Sequence, residues 1–396
     1  MQSNFKSKDN NLFVGLYVIG TIIFLIALGP YLKRQNLVTS ILIPSLTLLA
    51  FFYDIKTFYK NNTEFILLLL IFISSLFSVF YYVNYEALIN GFNGMLGAVL
   101  AAYIPVALNK NGDYSKYFHI GYVISILLLI AIMYYEGNFN FSNFASKVDY
   151  RDRFLLNANA YSYFSFFANF SLIYLYQKYK STLWMILLIS LPLLFIIISF
   201  ATQSRSGIFI IIIINLCYWF FINKINPSNK LKKIFRGILI FSIFIFIGIQ
   251  FIKIYENSRI KNRIEVTGTK VDSREVLIYE SLKVFGNNPF LGVGLGQLIY
   301  HNGIGQFSHN SYVEILAEQG IFGGILLLFL FGIPLIKCWR LIMLNPNDKV
   351  LKINLLFFIC FYLFNNIYPF YKFTFSMMYF FMIISIQNKL EIHKSK

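Results

Sequence analysis

Long apolar stretches separated by short polar breaks dominate the chain. They run over residues 12–32, 37–53, 65–83, 87–108, 117–135, 160–177, 183–201, 207–222, 235–254, 317–337, 350–366 and 371–387. A helix needs about 20 residues to cross a hydrocarbon core, and each stretch is close to that length. None alternates with the period of two that a membrane-exposed strand requires. The pattern therefore predicts an all-α polytopic membrane protein of about twelve transmembrane helices, forming one integral-membrane domain over residues 1–396. Asn365, Asn366 and Pro369 predict a tight turn between the last two helices. The run from Leu12 imitates a secretion signal. No small-residue cleavage pattern follows it, so it is read as the first span.

Composition agrees with this reading. Of 396 residues, 58% are apolar and 13% charged, with 45 Phe and 28 Tyr. Such a chain is neither disordered nor a disulfide-rich secreted module, and it is a poor match to a soluble enzyme. The net charge of +17 would suggest nucleic acid in a soluble protein. Here it fits basic residues held in cytoplasmic loops, and no nucleic-acid partner is expected. With the N-terminus inside, 20 Lys and Arg fall in the inner segments, against 7 in the outer ones apart from one long connection. Both termini are therefore expected in the cytoplasm. Two long connections, 136–159 and 255–316, then fall on the outer face, and long loops in a compact chain usually carry function. An extracytoplasmic site would find a lipid-linked substrate more readily than a nucleotide-sugar.

The richest chemistry lies between Val271 and Gly324. Asp272-Ser-Arg-Glu275 has the form of a capping box that opens a short helix, with Arg274 in its first turn. Gly292-Val-Gly294-Leu-Gly296 has GxGxG spacing and no preceding strand, so it does not read as a dinucleotide loop. Its glycines suit a tight backbone path or a close approach to a ligand. Ser311-Tyr-Val-Glu314 is a second capping box, opening a helix to Gly320. That leaves His309 just ahead of a helix N-terminus, where imidazolium is disfavoured and the neutral base favoured. His301 and His309 lack metal-ligand spacing, and no metal or cofactor is expected. Arg205, within Thr202-Gln-Ser-Arg205-Ser-Gly207, interrupts a long apolar stretch and needs a partner at that depth. Arg153 and Asn159 stand at the mouth of the sixth helix. A few placed arginines suit a phosphate or diphosphate, which guanidinium groups bind in bidentate fashion at any working pH.

These residues carry a resemblance. Ser204-Arg205-Ser206-Gly207, Arg274, Gly292-Val-Gly294-Leu-Gly296 and the stretch from His309-Asn310-Ser-Tyr312-Val-Glu314 to Gly323 resemble the O-antigen ligase and polymerase family of bacterial envelope glycosyltransferases. Asn157-Ala-Asn159 departs from the Asn-Pro-Asn of many members. The resemblance implies a GT-C-like, metal-independent transferase in the bacterial inner (plasma) membrane, acting on its outer face. The implied donor is an undecaprenyl-diphosphate-linked oligosaccharide, and the acceptor is a sugar hydroxyl. His309 is then expected beside the acceptor hydroxyl, with Arg205 and Arg274 on the diphosphate. Arg153, Asn159, Asn310, Tyr312 and Glu314 are the expected substrate-binding residues. The leading expectation is a repeat-unit polymerase for O-antigen or capsule, working with inversion. The alternatives are a ligase that uses lipid A core as acceptor and a flippase of lipid-linked oligosaccharide.

Overall fold

A computed structural model describes residues 2–54, 62–137, 156, 158–202, 204–223 and 273–394. The described residues are helical, with no strand among them. In chain order the main helices are α1 (Gln2–Ile23), α2 (Ile43–Asp54), α3 (Thr63–Ser75), α4 (Tyr85–Asn111), α5 (Ser115–Tyr135), α6 (Ala158–Tyr179), α7 (Thr182–Ala201) and α8 (Arg205–Cys217). After them come α9 (Ser273–Asn287), α10 (Leu298–His301), α11 (Ser311–Leu344), α12 (Lys349–Phe364) and α13 (Thr374–Lys394). Two π-helical turns, Phe24–Leu28 after α1 and Val38–Leu42 before α2, flank the first hairpin.

Eleven of the twelve apolar stretches fall on these helices, and the stretch 235–254 lies outside the described residues. Eight of the described helices are long and apolar enough to cross a bilayer. The other three are α6, α12 and α13. α12 has only 16 residues, while α6 carries Asn and Ser along its length and α13 ends in the polar run Gln387–Lys394. The last span begins at Thr374 rather than at 371, because Phe370–Lys372 closes a 3-10 turn after Pro369. Most of the connection 136–159, and residues 255–272 of the longer one, lie outside the described residues.

Side-chain caps fix where several helices start. Asn84 accepts the Ala87 amide at 2.9 Å, and Asp348 accepts those of Val350 and Leu351 at 2.9 and 3.2 Å. Each satisfies first-turn donors that would otherwise face lipid or protein unpaired. Along the bundle axis, aromatic rings do much of the packing, as between Phe361 and Phe380 at 4.9 Å and between Phe167 and Tyr379 at 5.0 Å. Such contacts matter here because lipid tails are as apolar as the side chains, and only close packing distinguishes the two.

Polar contacts define two ends of the bundle. One end carries Lys178 on Asp113, Lys337 on Glu64 at 2.7 Å and Lys349 on Asn223 at 3.3 Å. The opposite end gathers the starts of α4, α6, α8 and α11 and the turn from Asn365 to Thr374. There Tyr163 packs on Tyr368 at 4.5 Å and Ser311 donates to Asn365 Oδ1 at 2.6 Å. All the candidate chemistry within the described residues lies at this second end.

Candidate functional site

The site is built on a short helix that Gly320 cuts off from the rest of α11. Gly320 has φ 66°, inside an element that is otherwise helical from Ser311 to Leu344. A Cβ there would lie 2.1 Å from the Phe290 carbonyl oxygen, so only glycine admits the close crossing. The helix expected to run to Gly320 does end there, although the chain resumes helix at once. The preceding glycine-rich loop docks on the same break. Val293 and Gly294 donate to the Ala317 and Glu318 carbonyls, both at 2.9 Å, satisfying the end of the short helix. Gly292, at φ 67°, would place a Cβ 2.4 Å from the Glu318 carbonyl carbon. Its close approach is thus to the protein's own backbone. Buried Gln297 then clamps this loop to α4, accepting from Val83 at 3.0 Å and Asn84 at 2.8 Å and donating to the Asn84 carbonyl.

The start of α11 differs from the expected capping box. Asn310, not Ser311, is the cap: its extended backbone brings Oδ1 to the amides of Tyr312 at 3.0 Å and Val313 at 3.2 Å. Ser311 instead donates to Asn365 and faces the Tyr368 carbonyl at 3.1 Å. Glu314 does not reach back to the cap. It lies fully buried against the ammonium of Lys372, whose Nζ is also 3.5 Å from Glu318 Oε2. Ser308 lies 3.2 Å from Glu314 Oε2 and accepts the Asn310 amide at 3.2 Å. Between them, His309 is held at φ 55°, a conformation that non-glycine residues rarely adopt and that concentrates at functional sites.

His309 is half-buried and lines a cavity of about 880 Å³. Burial pushes its imidazole below the usual range; the Glu314 carboxylate pulls it up and the Arg274 guanidinium pushes it down. The net effect is downward, which favours the neutral ring. Glu314, Lys372 and Tyr368 line the same cavity, as do Gln35, Thr39, Asn84, Glu86 and Asn90.

Of the other expected site residues, Arg274 is half-buried in the first turn of α9, close enough to His309 to influence its charge. Arg205 opens α8 at the same end of the bundle, exposed and outside the cavity lining. Gly207 fixes that helix start against Ser162 and Ser199. Asn159 is half-buried in the first turn of α6. Tyr312 donates to the Tyr362 carbonyl at 2.9 Å and does not line the cavity. Arg153 lies outside the described residues, as does Asp272. Among the described residues no group of three or more His, Cys, Asp or Glu is arranged to hold a metal ion.

Sequence reasoning missed Lys372 and Gln297. A signal for Lys372 existed: it is the one charged residue between Lys352 and Lys389, next to the turn at Pro369. A lone charge within apolar helices marks a partner or a site. Gln297 had no such signal, because only its contacts set it apart.

Residues 188–328 match a family model described as O-antigen ligase. A comparison with curated proteins gives no match. The matched stretch spans Arg205, Arg274 and His309, and it supports assignment of the chain to the O-antigen ligase and polymerase family.

Proposed function

We propose that the protein is a metal-independent glycan polymerase of a bacterial plasma membrane, with both termini in the cytoplasm and its site on the outer face. The donor is an undecaprenyl-diphosphate-linked oligosaccharide and the acceptor is a sugar hydroxyl of a second lipid-linked repeat. His309 accepts the proton of that hydroxyl as the oxygen attacks the anomeric carbon. The bond from that carbon to the diphosphate breaks, and the lipid diphosphate leaves with its electron pair. Attack opposite the leaving group inverts the anomeric centre. Arg274 and Arg205 hold the departing charge, with support from Arg153, Asn159 and the first turn of α11 at Asn310 and Tyr312.

One observation carries this reading. A neutral-biased histidine, strained onto a left-handed backbone, forms the wall of a sizeable cavity with an arginine in electrostatic reach. The basic residues at the opposite end of the bundle, Lys178, Lys337, Lys349 and Lys389 among them, support the orientation.

The matched family description, O-antigen ligase, favours a second reading with the same donor and lipid A core as acceptor. His309→Ala is expected to abolish polymer in cells while the protein still accumulates; a normal polymer ladder refutes the transferase reading. In a deletion strain, single repeats on the core indicate a polymerase, and long chains stranded on the lipid carrier indicate a ligase. Liposomes that move lipid-linked glycan without forming glycosidic bonds would point to a flippase instead.

A further inference from the structure

The first turns of α4 present one face to the cavity of His309. Glu86, Ala87, Asn90, Gly91 and Gly94 all line it, spaced by the three and four residues that put side chains on one helix face. The small residues serve packing: a Cβ on Gly91 would lie 2.9 Å from Leu295 Cγ, and one on Gly94 would lie 3.3 Å from the Lys372 carbonyl oxygen. Glu86 and Asn90 are the polar side chains of that face, and both are exposed. Helix energetics account for them only in part. Asn84 already caps α4 through the Ala87 amide, and an acid in the first turn suits the helix dipole. Asn90 lies past that turn, where asparagine is a poor helix former. Among the described residues no hydrogen bond or ion pair engages either side chain.

The rest of the lining offers an anion little. Among the described residues Lys372 is its one lysine or arginine, and the carboxylates of Glu314 and Glu318 already share that ammonium. Lys33, Arg34, Arg205 and Arg274 do not line the cavity. What it does offer is neutral hydrogen-bonding groups at Gln35 and Thr39, the exposed rings of Tyr300 and Phe307, and the unengaged carboxylate of Glu86. We infer that Glu86 and Asn90 read the accepting sugar and that the cavity takes a non-acidic sugar and turns away a uronate. The inference rests on the transferase reading above and adds the class of acceptor. The Glu86 carboxylate accepts hydrogen bonds from sugar hydroxyls, and the Asn90 amide both donates and accepts. Aromatic faces cover the C–H side of a pyranose. A carboxylate on the sugar would instead meet the Glu86 charge with no free cation at the wall, and such like-charge contact is a direct means of exclusion.

Acceptor selectivity tests this. Purified protein is assayed with a lipid-diphosphate oligosaccharide donor and lipid-linked acceptors that end in glucose or galactose, or in the matching uronates. The wild type is expected to favour a neutral sugar over its uronate by about tenfold or more in kcat/KM, the scale of one charge-assisted hydrogen bond. Glu86→Gln should raise KM for the neutral acceptor, bring the two acceptors to near parity and leave donor KM unchanged. Asn90→Asp adds a charge to the same face and should widen the preference about tenfold. Both positions are exposed, so both variants keep the fold, which the thermal midpoint in detergent checks. A purely structural part for Glu86 would change rates without changing the ratio, and an unchanged ratio overturns the inference. A wild type indifferent to the uronate, or a Glu86→Gln protein whose donor KM rises, overturns it as well. If the wild type transfers to none of these acceptors, the transferase reading fails by itself. Binding of methyl glucoside, methyl galactoside and their uronates, followed by ligand-observed NMR, then decides the inference separately. Neutral sugars that bind better, with the preference lost in Glu86→Gln, support it; equal binding refutes it.

Discussion

The ammonium of Lys372, on the turn between the last two helices, lies against the carboxylate of Glu314, one turn into α11. The pair joins segments far apart in sequence, and Glu318 extends it at 3.5 Å. Through Ser308, the same carboxylate braces the loop that bears His309.

Removing the cation should therefore be costly. Lys372→Met leaves two buried carboxylates without a counter-charge, and breaking such a pair from one side costs about 3–5 kcal/mol. The expected result is a markedly lower thermal midpoint in detergent, with Lys372→Arg retaining most of the stability. A Lys372→Met protein as stable as the wild type would show that the triad contributes nothing.

Activity should depend on pH through His309. On the proposed mechanism the imidazole acts as a neutral base, so the rate should fall as pH drops through its pKa, which burial and Arg274 hold below the ordinary 6.5. Arg274→Gln removes one of the downward influences, and the acid limb of the rate profile should move to higher pH. A limb that stays in place, whatever the loss of overall rate, would separate Arg274 from the histidine electrostatically.

Gly320 should tolerate no side chain. Gly320→Ala combines the strain of a backbone at φ 66°, ψ −162°, a region essentially reserved to glycine and costing about 1–3 kcal/mol, with a clash on the Phe290 carbonyl. Gly286→Ala, where nothing lies within 4 Å of the new Cβ, is the matched control. The first should lower both the thermal midpoint and transfer activity, the second neither. Equal behaviour of the two would mean that the break in α11 is not constrained.

Much of the bundle was legible in the sequence because spans announce themselves by length: eleven apolar stretches, from the one at Leu12 to the one before Lys389, fall on helices. The break at Gly320 and the placement of His309 ahead of a helix were legible from local chemistry. The cap was not. Asn310 and Ser311 are both good caps by residue type, and the choice went to Asn310 because Asn365 and the Tyr368 carbonyl engage Ser311. The role of Glu314 was hidden for a similar reason. A glutamate three residues after a serine satisfies the capping pattern locally, while its actual partner lies on a turn 58 positions later. Long-range pairing of this kind leaves no trace in spacing.

α11 is clasped twice by acid and lysine, by Glu314 with Lys372 near one end and by Lys337 with Glu64 toward the other. Because α11 breaks at Gly320, each clasp holds its own part of the element, the short helix that follows His309 and the long helix beyond it. The height of the imidazole on the bundle is set by the clasp beside it, and on the proposed function a substrate carried in a membrane must come up to that height to react.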